Sequence, residues 1–149
     1  MIWDLYGESR TLEIDEAGFE QVRKAVEQLE AALGIEEKLD LVLANFAEYE
    51  GELLQLALTY MLDFQGEWAS RRAKSQIVNR RIVNLLSAAR LYLDHVRHEL
   101  NAMFSPGSRE LADFELATNA QFDNVLAYRF CEQLRNHVQH QGLPIQEIT

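Results

Sequence analysis

From residue 36 to residue 65 the apolar side chains keep a helical rhythm. Leu39, Val42, Phe46, Tyr49, Leu53, Leu56 and Tyr60 recur at spacings of 3, 4, 3, 4, 3 and 4. That period places them on one side of a helix and predicts a seam against an antiparallel neighbour. Gly51 interrupts the run at a cost of about 1 kcal/mol relative to alanine, which the seam should outweigh. Upstream, Asp15 can cap a helix over 16–33, with Val22, Ala25, Val26, Leu29, Ala32 and Leu33 as its apolar stripe. Gly34 then reads as a stop between two helices. A third helix, over 71–104, has Val78, Ile82, Leu85, Ala89, Tyr92, Val96, Leu100 and Met103 as its buried side. Pro106-Gly107 ends it, and Ser108 can cap a short helix over 109–117. The last helix, over 119–140, carries Phe122, Leu126, Phe130, Leu134 and Val138, and Gly142 and Pro144 close it.

The start and end of the chain are less regular. Ile2, Trp3 and Leu5, then Leu12 and Ile14, flank Gly7-Glu8-Ser9, which fits a small β-hairpin. Leu143, Ile145 and Ile148 suggest a tail that packs on something, and admit a longer parent chain. The expected fold is all-α: an up-and-down helical bundle of four to five helices with a small N-terminal β-hairpin. It is read as one domain over 1–149, with 1–15 as an N-terminal extension or hairpin and 141–149 as a tail. A 149-residue chain suits one domain and needs no disulfide or metal staple to bury its core.

Charge refines this picture. The net charge is −10, but it is unevenly spread. Residues 1–70 hold 16 acidic and 4 basic side chains, whereas 71–98 hold 7 basic ones and a single acid, Asp94. The acidic total argues against a protein that coats nucleic acid indiscriminately. The basic segment, Arg80 and Arg81 included, is a candidate phosphate-facing surface, or a complement to the acidic first 70 residues. Cys131 is the single cysteine, so an intrachain disulfide is impossible, and it reads as a small packed hydrophobe. The start of the chain lacks a basic segment followed by a long apolar run, so neither a signal peptide nor a membrane anchor is expected. A cytoplasmic location fits.

The candidate chemistry lies near the end of the last helix, in Arg135-Asn136-His137-Val138-Gln139-His140. Arginine keeps its charge and can grip phosphate oxygens in a fork. Histidine exchanges protons near neutral pH, and an asparagine amide can orient either partner. On one ideal helix Arg135 and His140 point about 140° apart. They would serve one phosphate only if the helix loosened before His140 or if two subunits shared a cleft, which is the favoured geometry. Arg129, Gln133, Asn136 and His140, at spacings of 4, 3 and 4, fall on one face and are expected to line it. The plain alternative is a solvated helix end, where a histidine is favoured by the helix dipole. His137 shares its angle with the apolar stripe and reads as a partly buried core residue. Asn79 and Asn84 could face the cleft, or be exposed or bonded to nearby backbone. His95, His98 and Glu99 are a poor metal set, since helical zinc pairs sit four residues apart and no third ligand is evident. No metal or other cofactor is expected.

Arg135, Asn136 and His140 match the Arg-x4-6-His motif, with a polar residue after the arginine, that marks the HEPN superfamily. The run 79–95, Asn79-Arg80-Arg81 to Asp94-His95, also resembles the long central helix of bacterial HEPN-like proteins, as does 134–144. The specific likeness covers about a quarter of the chain. It implies a helical bundle that forms a homodimer with the two motif helices facing each other across a cleft. It further implies a metal-independent endoribonuclease acting as a toxin, in toxin–antitoxin pairs, or as a phage-defence effector. Arg135, Asn136 and His140 would then be catalytic, and Arg129, Gln133, Arg80 and Arg81 would bind RNA. Other members bind RNA or a protein partner without cutting, so a non-catalytic helical adaptor stays open. So does an acidic, antitoxin-like protein that engages a basic partner through residues 1–70.

Overall fold

The computed structural model of the protein describes residues 13–62 and 68–146. Four helices follow one another: α1 (Glu16–Leu62), α2 (Trp68–Met103), α3 (Arg109–Asn124) and α4 (Leu126–His140). Among the described residues there is no strand. The β-hairpin expected over 2–14 falls almost wholly outside the described residues, and Glu13 and Ile14 are irregular. The chain divides into two compact units, Met1–Leu33 and Gly34–Thr149.

In the first unit, Asp15 caps α1 as its sequence position suggests. Its carboxylate accepts from the Gly18 N–H at 2.8 Å, and its carbonyl accepts from the Phe19 N–H at 2.9 Å. Arg23 ties the next turn together by hydrogen bonds to Glu20 and Glu27. The apolar stripe here, including Val22, Val26, Leu29 and Leu33, is solvent-exposed rather than buried.

Two expected helices are one. α1 runs through Gly34, which does not adopt a positive φ. The reason for a glycine here lies on α2. A Cβ at position 34 would stand 2.9 Å from His95 Nε2. Gly34 therefore permits a close approach between helices rather than ending one. Fourteen residues further along α1, Glu48 pairs with Arg81, which lies fourteen residues before His95 on α2. The two contacts advance in opposite directions, so this part of α1 and α2 form an antiparallel hairpin. Leu39, Val42, Tyr49, Leu53 and Leu56 of the expected seam are half-buried, as are Ile35 and Glu52 on the same side. Phe46 and Tyr60, the other two members of the expected seam, are exposed.

The central helix is α2. It packs on α3 and α4, which also pack on each other. It supplies all the buried side chains among the described residues: Ser75, Val78, Asn79, Leu86 and Ala88. The expected buried side, from Val78 to Met103, is half-buried or buried throughout. After α2 the chain reverses at Ser105-Pro106-Gly107-Ser108. The Ser108 N–H donates to the Ser105 carbonyl at 3.0 Å, and Gly107 has φ +83°. This is the combination a type II turn requires, with proline second and glycine third. The Ser108 hydroxyl then caps α3 by accepting from the Leu111 N–H.

The break between the last two helices falls at Val125, not near residue 118. Val125 is extended, with φ −110° and ψ 105°, and serves both as the C-cap of α3 and as the N-cap of α4. Its N–H donates to the Gln121 carbonyl, and its carbonyl accepts from the Arg129 N–H. The side-chain amide of Asn124 donates to the Ala120 carbonyl, a local competitor with helix continuation. The tail is held: the Asn79 carboxamide donates to the Ile145 carbonyl at 2.7 Å and accepts from the Ile145 N–H at 2.8 Å.

Candidate functional site

The site expected from the sequence lies on α4, and α4 is regular as far as His140. Its C-cap, Gln141, donates to the His137 carbonyl at 2.7 Å, and Gly142 donates to the same carbonyl at 3.2 Å. The helix does not loosen before His140, so the separation of about 140° between Arg135 and His140 stands. Within one chain the two side chains lie on different sides of α4. Arg135 is half-buried on the side of Tyr128 and Glu132, and His140 is exposed.

Arg129, Gln133, Asn136 and His140 are all exposed and share one face. Beside that polar stripe lie Leu126 and Phe130, which are also exposed, Phe130 by 60%. These two were expected on the buried side, and only the later members of that stripe, Leu134 and Val138, are half-buried. Cys131, expected to be packed, is exposed as well. The outward turn of α4 at Val125 leaves its first two turns with apolar side chains that no neighbour covers. His137 is half-buried, as its angle suggests, and its Nδ1 lies 3.1 Å from the Gln141 amide oxygen.

The basic segment of α2 splits in two. Arg81 is directed to α1, where its guanidinium pairs with Glu48 and lies 3.5 Å from Glu52. Arg80, one position round the helix, is exposed and makes no ion pair among the described residues. Arg129 and Arg135 likewise make none. Asn84 is exposed, whereas Asn79 is committed to the tail.

Sequence reasoning missed a cluster between α2, α3 and α4. Arg90 holds Asp94 in a two-pronged pair at 2.9 and 3.0 Å and reaches toward Glu132 on α4 at 3.9 Å. The i, i+4 pair was visible in the sequence, but the partner on α4 was not. Tyr128 stands beside them. Burial and the Glu132 carboxylate hold its phenol above the usual pKa, opposed by Arg90. Arg90, Asp94, Arg97, Phe114, Thr118 and Tyr128 line a cavity of about 70 Å³. Ligand pockets typically enclose roughly 300–1,000 Å³. This one admits a few waters, not a ribose-phosphate.

His95, near Gly34, lies 3.6 Å from the Glu99 carboxylate, and its Nε2 has no hydrogen-bond partner. Among the described residues no three metal-ligating side chains converge. No helix among them is long and apolar enough to cross a membrane. No protein-family model, no curated protein and no solved structure matches the chain at a significant level.

Proposed function

We propose that the protein is a metal-independent endoribonuclease of the HEPN type, a cytoplasmic toxin or phage-defence effector whose cleft is shared by two copies of the chain. The observation that carries this reading is the outer face of α4. There Arg129, Gln133, Asn136 and His140 stand together in solvent, flanked by the exposed Leu126 and Phe130. Pairing two such faces would remove the apolar side chains from water and bring the two polar stripes together. Arg135, on another side of α4, would stand at the rim of that cleft.

In such a cleft the chemistry needs no added cofactor. One imidazole takes the proton of a ribose 2′-OH, whose oxygen attacks the adjacent phosphorus. A protonated imidazole from the other copy delivers a proton to the departing 5′-oxygen. The bond between phosphorus and that oxygen breaks, giving a 2′,3′-cyclic phosphate and a free 5′-hydroxyl. Arg135 would offset the charge that builds on the phosphoryl oxygens, and Asn136 would orient the 2′-OH or the imidazole.

The test is incubation of purified protein with RNA in EDTA. Cleavage with cyclic phosphate ends, abolished by His140→Ala and by Arg135→Ala, is the expected result. A folded dimer that never cuts RNA overturns it. One observation favours a second reading, a non-catalytic adaptor. Arg81 and Arg90 are engaged by Glu48, Glu52, Asp94 and Glu132, which leaves fewer cations free for RNA. In that case Arg135→Ala weakens capture of a protein or RNA partner and no RNA product forms.

A further inference from the structure

We propose that the outer face of α1, between Gly34 and Leu62, docks a cationic amphipathic helix of a protein partner. This surface is on a different helix from the polar stripe of α4 and does not depend on the ribonuclease reading.

The segment has two apolar faces, and the fold uses one. Leu39, Val42, Tyr49, Leu53 and Leu56 are half-buried on the side where Gly34 and Glu52 approach α2. Leu43, Ala47, Leu54, Leu58 and Met61 cluster about 120° further round the helix. All five of the second group are exposed, Leu54 by 66% and Leu58 by 60%. Their spacings of 4, 7, 4 and 3 are those of a helix-binding face. Nothing lies within 4 Å of where a Cβ on Gly51 would stand. Together with Ala47 it makes a shallow place in the middle of the face where a partner backbone can approach. A contiguous exposed apolar surface of this kind marks an interaction site more often than plain solvent exposure.

Charge decides the occupant. Glu36, Glu37, Asp40 and Glu50 are exposed and make no ion pair among the described residues. The other two acids of the segment, Glu48 and Glu52, are engaged by Arg81. Its one cation, Lys38, is half-buried toward the α2 side. A second copy of the same face fits poorly. Glu50 stands at the middle of the apolar run, so antiparallel self-pairing would set it beside its own mate. The basic face of α2 from a second copy lacks the apolar complement. Among the exposed residues of α2 whose side chains are described, Leu91 is the one large apolar residue. An anionic lipid surface would be repelled. A helix with leucines flanked by lysines or arginines satisfies both the apolar run and the acidic rim.

The experiment uses the full chain and a synthetic peptide of about 20 residues, enough to span ~30 Å of helix. The peptide carries leucines at i, i+3, i+4 and i+7 and lysines on the flanks. A matched peptide replaces the lysines with glutamates. Calorimetry should show saturable one-to-one binding of the lysine peptide and none of the glutamate peptide. Leu54→Glu with Leu58→Glu should weaken it at least about tenfold, as should Glu36→Lys with Asp40→Lys and Glu50→Lys. Leu126→Glu on α4 should leave it unchanged. These positions are exposed, and circular dichroism checks that each variant stays helical. Absence of binding, equal binding of both peptides, or indifference to the α1 substitutions overturns the proposal. So does sedimentation showing a dimer of the chain alone that Leu54→Glu dissociates, because a second copy would then occupy the face.

Discussion

The carboxamide of Asn79 and the backbone of Ile145 exchange two hydrogen bonds, each side giving one donor and one acceptor, across 66 residues of sequence. Asn79 is 3% exposed, so both bonds are made out of water at its end. Removing it by Asn79→Ala strands the Ile145 N–H and carbonyl against α2. The expected loss is about 2–3 kcal/mol, read from urea denaturation. Asn79→Asp should cost more, since a carboxylate cannot donate to the Ile145 carbonyl and buries a charge. If both variants match the parent midpoint, the tail is not held in this way.

Two of the glycines inside α1, Gly34 and Gly51, should respond oppositely to alanine. At Gly51 a methyl meets open space, so Gly51→Ala should gain roughly 0.5–1 kcal/mol from helix propensity alone. At Gly34 the same methyl meets the His95 ring, and the gain should vanish or reverse. In a His95→Ala background Gly34→Ala should recover the full benefit. Thermal melts of the four chains of that cycle measure the coupling, and strict additivity would refute it.

Neighbouring arginines on α2 should differ as sharply. Arg81→Met removes the cation that Glu48 and the half-buried Glu52 share, with an expected cost of about 1–3 kcal/mol. Arg80→Met touches an exposed side chain with no ion pair and should stay within ~0.5 kcal/mol of the parent. If RNA binds this helix, filter-binding should show the reverse ranking, with Arg80 the more sensitive.

Among the tyrosines, Tyr128 should release its proton late. Its phenol is held above the ordinary value by burial and by Glu132. Raised folded-state affinity for that proton means that the associated stability is full below the unfolded pKa of about 10. It is lost as pH rises through the folded value. Absorbance titration should show one phenolate forming at a pH above the ordinary phenol value of about 10. Tyr128→Phe should delete that late step, and Glu132→Gln should bring it to lower pH.

Much of the architecture could be read from the chain. The α1–α2 seam was legible because five of its seven apolar positions are placed where the period puts them. Asp15, Ser108 and the Pro106-Gly107 turn were legible because capping and turn formation are local chemistry. Gly34 was misread because a glycine after an apolar stripe is the same signal whether it ends a helix or admits a neighbour. Its neighbour, His95, is 61 residues away. The junction at Val125 carries neither proline nor glycine, so its position was not marked. On α4 the common face of Arg129, Gln133, Asn136 and His140 followed from helix geometry. The exposure of Leu126 and Phe130 did not, because it depends on how far α2 and α3 reach along α4. The engagement of Arg81 by two acids of α1 was equally invisible, since it requires the register of the hairpin.

Val125 also has a mechanical meaning. Were this one residue to take helical dihedrals, α3 and α4 would fuse into a single rod about 48 Å long. The direction of the second half of that rod would change, and with it the heading of every side chain it carries. Two backbone angles at a β-branched residue therefore aim the terminal arm. A sequence change confined to this hinge could re-point the arm without altering any residue on its surface.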